Sequence, residues 1–158
     1  MDTLPALLFS LFIIVPLLTL IHELGHAIPQ LFWVKHVTIS LGTPRRGFTI
    51  PMGKLTIITS ATPFHRGFCQ ISSTLSLEQR AFVLLGGPLA SWGCYFLFSV
   101  GQNVSTLPFA TYCLNFSATF SFVQALMTTI PWRYPKRLVG YSGQASDGLQ
   151  LLKLLRST

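Results

Sequence analysis

The fold is indicated by the stretch LPALLFSLFIIVPLLTLIHELGHAIPQLFWV at residues 4–34, in which Glu23 is the only charged side chain. Because about 20 apolar residues cross the hydrocarbon core of a bilayer, this stretch predicts a first transmembrane helix over residues 4–34. A secretory signal peptide would need a basic segment ahead of the apolar run, and the only charge there is Asp2. We therefore expect the stretch to be a membrane span.

Composition extends this interpretation to the whole chain. Only 9% of the 158 residues are charged and 50% are hydrophobic, whereas a soluble domain has about 25% charged residues. Two more apolar runs predict spans over about residues 78–100 and 107–131, and Ser76 followed by Gln79 is typical of the capping box that begins a helix. The sequence thus predicts an α-helical polytopic membrane protein with a three-transmembrane-helix core, in a single domain over residues 1–158.

The segment between the first two spans has a different character. Over about residues 36–60, β-branched residues alternate with small or polar ones, and turn residues interrupt them at 42–46 and 51–53. This pattern predicts a small membrane-associated β-hairpin or sheet after the first helix, followed by a loop over residues 61–76. Near the other end of the chain, residues 147–156 alternate leucines with polar residues and predict a short amphipathic helix.

Basic residues outnumber acidic residues by 11 to 4. All of them lie either between Lys35 and Arg80 or from Arg133 onward, and three spans would put both regions on one side of the membrane. The positive-inside rule makes that side cytoplasmic, so we expect the N-terminus outside and the C-terminus in the cytoplasm. Topology then accounts for the basic charge, which requires no nucleic-acid partner. The three cysteines form no CxxC pair and give no disulfide framework.

The first span ends with His22-Glu23-Leu24-Gly25-His26, an HExxH motif. On a helix the two histidines lie one turn apart on the same face, where both imidazoles can bind one zinc ion. Glu23 then lies where a general base can take a proton from a water molecule and later return it to the leaving amine. Such side chains are costly inside a membrane, so their presence in a span indicates a function. The alternative is a helix end whose polar groups only face water.

A zinc hydrolase needs a third protein ligand and an open coordination position. Spacing alone leaves several candidates. Asp147 is followed by a glycine and an apolar stretch, so a turn could direct its carboxylate toward the helices, but an ordinary turn or a helix N-cap would explain it equally well. Glu78 is explained by its place at a helix N-terminus. The other candidates are His36 and His65 on the cytoplasmic side, whereas Asp2 lies on the wrong side.

Three motifs follow one another along the chain. They are His22–His26 at the end of the first span, Gly86-Gly87-Pro88 in the second, and Ser146-Asp147-Gly148 after the third. In this order, and with a β-like segment after the first, they resemble the site-2 protease family of intramembrane zinc metalloproteases over nearly the whole chain. The resemblance implies a three-helix core in which Asp147 is the third zinc ligand beside the two histidines, with Glu23 as the catalytic residue.

One segment departs from this family. Its members commonly carry an Asn-x-x-Pro segment ahead of the Asp-Gly motif, whereas this chain has Thr128-Thr129-Ile130-Pro131. An amide that would orient the substrate is replaced by the Thr128 hydroxyl. The stretch between Pro131 and Asp147 is also longer than in the shortest family members.

These observations predict a zinc-dependent intramembrane endopeptidase that binds one Zn²⁺ ion and cleaves a transmembrane segment of a membrane-tethered substrate, releasing a fragment to the cytoplasm. A helical substrate must unwind to expose its peptide bonds, so we expect the β-like segment at residues 36–60 to offer an edge to which it adds as a strand, which substitutions at residues 54–60 would test. The expected partners are a membrane protein with a transmembrane helix and the lipid bilayer. A regulatory membrane partner and the oligomeric state are left open.

Two alternatives belong to other functional classes. One is a catalytically inactive membrane adaptor of the same fold that binds partner proteins. The other is a metal carrier that uses the same histidines, although the repeated halves expected of a transporter do not occur in the sequence.

Overall fold

A computed structural model describes residues 3–42, 47–60, 66–137 and 141–157. Within these ranges the chain forms four helices and one four-stranded sheet. The helices are α1 (Thr3–Gln30), α2 (Leu77–Val104), α3 (Pro108–Thr129) and α4 (Asp147–Leu155). The strands are β1 (Val37–Leu41), β2 (Gly47–Met52), β3 (Leu55–Ser60) and β4 (Gly67–Cys69).

Local sequence signals account for the ends of the helices. Helix α2 begins with the predicted capping box, which is confirmed: Gln79 N–H donates to the Ser76 hydroxyl, and Ser76 N–H donates to the Gln79 side chain. Helix α3 begins at Pro108, a residue suited to a first helical turn because its missing N–H would have no partner there. Helix α1 includes a π-helical segment at Ser10–Ile14 between two α-helical segments.

The sheet has the strand order β2-β3-β1-β4 and is mixed. Strand β1 pairs in parallel with β3 and antiparallel with β4, while β2 and β3 pair antiparallel. The alternating inward residues of β1 pack with apolar residues at the end of α1, so one face of the sheet covers that end of the helix. The buried members of this cluster are Ala27, Val37, Ile39, Leu41, Leu55 and Cys69.

The prediction of a three-transmembrane-helix core is wrong. In the part of the chain that the structure describes, two helices are long and apolar enough to cross a membrane, α1 and α2. Helix α3 packs along α2 but falls short of that hydropathy. The physical reason is its composition, because Asn115, Gln124 and several Ser and Thr side chains interrupt the apolar run at residues 107–131.

The prediction of a small hairpin or sheet over residues 36–60 is also corrected. Three strands do lie in that segment, but they join a fourth, β4, in the stretch expected to be a loop. Strand β3, which covers most of residues 54–60, lies between β2 and β1 with both edges paired, so an added strand could not pair there. The outer strands are β2, whose residues are all exposed, and β4, which contacts α1.

Candidate metal centre

His22, His26 and Asp147 come together at the junction of α1 and α4. The His22 Nε2 atom lies 3.4 Å from Asp147 Oδ2, and the His26 Nε2 atom lies 3.5 Å from the same oxygen. One ligand atom from each residue falls within 4.8 Å of the other two. The two histidines are buried and the Asp147 side chain is 16% exposed. These three side chains form a group that could hold a metal ion.

Glycines let α2 approach this group closely. A Cβ on Gly86 would overlap the backbone carbonyl of Gly25, and a Cβ on Gly87 would overlap the His26 ring. The two helices therefore touch through their backbones beside the HExxH motif, in the way that small residues permit in membrane helices. The Gly86-Gly87 pair thus has a defined role, which is to make room for α1 and for the His26 imidazole.

The Ser146-Asp147-Gly148 motif fixes the third side chain. The buried Ser146 hydroxyl accepts hydrogen bonds from Leu149 N–H and Trp132 N–H and donates to the Ile130 carbonyl, which ties the start of α4 to the end of α3. Gly148 lies against the Thr129 carbonyl, where a Cβ would overlap. Asp147 is consequently the first residue of α4, and its N-cap residue, Ser146, is held by three hydrogen bonds of its hydroxyl group.

Both imidazoles use Nδ1 for a partner on α2. His26 Nδ1 lies 2.7 Å from the Val83 carbonyl, which can only accept, so this nitrogen carries the proton. His22 Nδ1 lies 2.9 Å from the Ser91 hydroxyl, which itself donates to the Gln124 side-chain oxygen at 3.3 Å. Since Ser91 gives its proton to Gln124, His22 must donate to Ser91. A neutral ring that donates from Nδ1 keeps a lone pair on Nε2, the arrangement that metal-binding histidines use.

The two histidines also set the electrostatics of Asp147. Burial alone would raise the pKa of this carboxyl, but the His22 and His26 side chains outweigh burial and hold the pKa below its ordinary range. Positive charge beside the ionised carboxylate, as a proton on an imidazole or as a metal ion, would stabilise it. A metal ion could bind all three groups at once.

Glu23 lies between this cluster and the sheet. Its buried carboxylate packs against Gly67 of β4, where a Cβ would overlap it, and it interacts with the Cys69 backbone N–H. In the pairing of β4 with β1, the Arg66 carbonyl and the Gln70 N–H bond to β1. The N–H groups of Gly67 and Cys69 therefore point to the opposite edge of β4, which is free because it pairs with no other described strand. That edge of β4 faces Glu23.

A cavity of about 1140 Å³ opens over the cluster. Its wall includes the metal-ligand group, Glu23, β4 and the segment before α4, while Arg80, Arg133 and Lys153 add positive charge. The volume exceeds the roughly 300–1,000 Å³ typical of small-molecule sites, so the cavity has room for a peptide segment.

The remaining sequence candidates lie outside the group. His36 and Glu78 are exposed and belong to no metal-ligand cluster in the described residues. Asp2 and His65 lie outside the described residues. Thr128, which stands where the resembled family carries Asn, lines the cavity but donates its hydroxyl proton to the carbonyls of Gln124 and Ala125 in its own helix.

Sequence reasoning missed four residues of the site. Nothing in the spacing of Ser91 and Gln124 connects them with His22. Gly67 and Tyr141 were not considered, since Gly67 belongs to a three-residue strand and Tyr141 to an irregular segment. A Gly-Phe-Cys strand is too short for a periodic signal.

Comparison of the chain with protein-family profiles, with curated proteins and with solved structures finds no match.

Proposed function

We propose that this protein is a zinc-dependent intramembrane endopeptidase. The observation that carries the proposal is the convergence of His22, His26 and Asp147 within 4.8 Å, with the Glu23 carboxylate buried beside them on the floor of a peptide-sized cavity. The resemblance of the three sequence motifs to the site-2 protease family supports the same conclusion.

The ligand set supports zinc as the metal. Zinc binds His nitrogen and carboxylate oxygen at about 2.0–2.2 Å, so ligand atoms in a tetrahedral site lie about 3.3–3.6 Å apart. The two His–Asp separations of 3.4 and 3.5 Å fall in this interval. Two imidazoles and one carboxylate leave the fourth position open, as in catalytic zinc sites. When bound there, zinc would polarise the peptide carbonyl and favour ionisation of a water molecule.

Glu23 would act as general base and then as general acid. Its carboxylate takes a proton from the attacking water and later delivers that proton to the leaving nitrogen of the cut peptide bond. Burial between the metal-ligand group and β4 excludes bulk water, and the contact with the Cys69 backbone N–H holds the side chain in place.

The protein would lie in a membrane with the cavity toward the cytoplasm. Support comes from large apolar side chains exposed on α1 and α2, such as Phe12 and Phe96, which a lipid environment would cover. Three of the described residues that line the cavity are basic: Arg80, Arg133 and Lys153. Because basic residues favour the cytoplasmic side, the cavity and α4 would lie on that side.

The substrate would be a membrane protein whose transmembrane helix unwinds and pairs with β4. This strand is the outer strand nearest Glu23, and its free edge presents backbone groups to the cavity. Strand addition at β4 replaces the idea of pairing at residues 54–60, since β3 has no free edge. A cut beside β4 would release a fragment to the cytoplasm.

The test is cleavage of a transmembrane substrate by purified protein in lipid vesicles, with the zinc content measured on the same samples. We expect the wild type to cleave and Glu23→Gln to bind zinc but lose cleavage by at least about 100-fold, the contribution of a general base. Glu78→Gln is the matched control, because Glu78 is an exposed acid outside the cluster. Cleavage by Glu23→Gln at the wild-type rate would refute the mechanism.

Asp147→Asn tests the ligand assignment separately. The substitution removes the negative charge opposite both imidazoles, so zinc occupancy should fall at a zinc concentration that saturates the wild type. Unchanged occupancy would remove Asp147 from the site. Zinc binding without any cleavage by the wild type would favour the adaptor alternative over the enzyme.

Strand addition is tested by photo-crosslinking in the Glu23→Gln background, which retains substrate. A photoreactive residue at Phe68 of β4 should crosslink to the substrate, because Phe68 lines the cavity. The same probe at Ile50 of β2, the outer strand at the other end of the sheet, serves as the control. Crosslinking at Ile50 but not at Phe68 would place the substrate at the wrong edge for this proposal.

A further inference from the structure

Tyr141 lines the cavity ahead of α4. Beside it, Tyr134 N–H donates to the Gln144 carbonyl and Gly143 N–H donates to the Tyr134 carbonyl. The Tyr141 ring contacts the Tyr134 ring, with 5.2 Å between centroids, and lies 5.8 Å below the Arg66 guanidinium. These contacts hold the ring at the cavity wall.

The Tyr141 hydroxyl reaches the free edge of β4. Its oxygen accepts a hydrogen bond from Gly67 N–H at 3.2 Å. The Cα atom of the same glycine packs against the Glu23 carboxylate. The Tyr141 hydroxyl and the carboxylate of Glu23, the proposed general base, therefore both contact Gly67, at the edge of β4 where a substrate strand would pair.

Among the residues that the structure describes, no group accepts the proton of this hydroxyl. Burial raises the pKa of Tyr141 to about 12, so the hydroxyl keeps its proton at neutral pH. Within the described residues it is the one hydroxyl lining the cavity whose proton has no acceptor. The others each donate to a backbone carbonyl: Thr19, Thr128, Tyr134, Ser146 and Ser157.

We propose that Tyr141 is a further catalytic residue, which donates a hydrogen bond to the carbonyl oxygen of the peptide bond being cut. When a substrate strand pairs with β4, a substrate carbonyl takes Gly67 N–H, and the Tyr141 oxygen loses that bond. The hydroxyl then turns toward the cleavage site and stabilises the negative charge that develops on the carbonyl oxygen. This inference rests on the proposed peptidase function.

The experiment compares Tyr141→Phe with the wild type under the conditions of the cleavage assay. Removing one donor to a developing oxyanion costs about 100- to 1,000-fold in kcat. We expect that loss with KM changed by less than about two-fold and with zinc content unchanged. Tyr95→Phe is the control, because Tyr95 lies in the aromatic cluster with Trp92 and Phe122 and away from the cavity.

A second readout measures binding rather than turnover. A peptide with a phosphinic group in place of the cut bond resembles the transition state, so Tyr141→Phe should weaken its binding by about the factor lost in kcat. Thermal unfolding should match the wild type. Unchanged kcat, or a loss of zinc and of thermal stability in place of a selective loss of kcat, would overturn the assignment.

The two proposals fail in distinguishable ways. If Tyr141→Phe cleaves normally while Glu23→Gln does not, the role of Tyr141 is wrong and the peptidase function stands. If the zinc-loaded wild type does not cleave, both are wrong.

Discussion

At the scale of single residues, the two histidines are held by groups outside their own helix. Val83 and Ser91 on α2 are the hydrogen-bond partners of the two Nδ1 atoms, and the Ser91 hydroxyl in turn donates to the side-chain oxygen of Gln124 on α3. Such partners fix the orientation of each ring and leave Nε2 for a metal. The neighbouring helices would therefore influence the affinity of this group for a metal ion.

Ser91→Ala should weaken zinc binding by about 10- to 100-fold, the usual cost of losing a hydrogen-bond partner of a metal-binding histidine. The reason is that His22 Nδ1 would lose its acceptor, and the ring could adopt the tautomer with the proton on Nε2. Competition with a chromogenic chelator measures the affinity. Ser99→Ala on the same helix is the control, and equal affinities for both variants would contradict the role of Ser91.

Spacing alone could place His22, Glu23 and His26 on one face, because the i, i+4 relation is local to a helix. Asp147 could only be inferred through the resemblance of its motif, since its approach to the histidines depends on Ser146 and Gly148 contacts across the fold. Ser91, Gln124 and Tyr141 meet the site through tertiary packing, and no periodic pattern marks them.

At the scale of elements, the contact between α1 and α2 depends on missing side chains. At Gly25 and Gly86 the backbones of the two helices are in direct contact, and Gly87 leaves the space that the His26 ring fills. A methyl group at either α2 glycine would push the helices apart at the level of the metal ligands.

Gly86→Ala should lower the free energy of unfolding by about 1–3 kcal/mol through overpacking, and should reduce zinc occupancy as well. Gly93→Ala is a matched control in the same helix, since a Cβ there would meet nothing within 4 Å. The control should be neutral or more stable by up to about 1 kcal/mol, because Ala favours the helix over Gly. Thermal unfolding in detergent measures both, and equal stability of the two variants would contradict the close contact.

The elements differ in how far sequence could define them. The ends of α2 and α4 follow from Ser76 and Ser146, which cap them through local hydrogen bonds. The alternation of residue types in the sequence predicts the strands β1 to β3, but it does not predict their order in the sheet. Parallel pairing of β1 with β3 and the addition of β4 depend on contacts between distant segments, which a local pattern does not encode.

At the scale of the whole molecule, the ligands join an early and a late part of the chain. His22 and His26 lie on the first helix and Asp147 begins the last. An ion bound by all three would bind the folded chain and not the unfolded one, so its binding energy would add to the stability of the fold.

Removing zinc with a chelator should therefore lower the thermal unfolding temperature. At free zinc 100 times above the dissociation constant, the added stability is about 2.7 kcal/mol. Asp147→Asn should show a smaller shift on chelation, because much of the binding is already lost. A wild type whose unfolding temperature does not respond to the chelator would contradict zinc binding to the folded state.

The three-span core was the main error at this scale. The apolar run at residues 107–131 resembled a span, yet the polar side chains of α3 leave α1 and α2 as the two helices that qualify within the described ranges. Helix α3 packs along α2, and basic residues from both sides of α3 in the sequence, Arg80, Arg133 and Lys153, line one cavity.

The anchoring of Asp147 at the first turn of α4 has a consequence for biosynthesis. A nascent chain inserts α1 long before the ribosome has made α4, and throughout that interval its two histidines have no carboxylate partner. The proposed enzyme would stay inactive during translation and gain activity only when the last helix docks. Membrane proteins made beside it would be protected from premature cleavage by the order of synthesis alone.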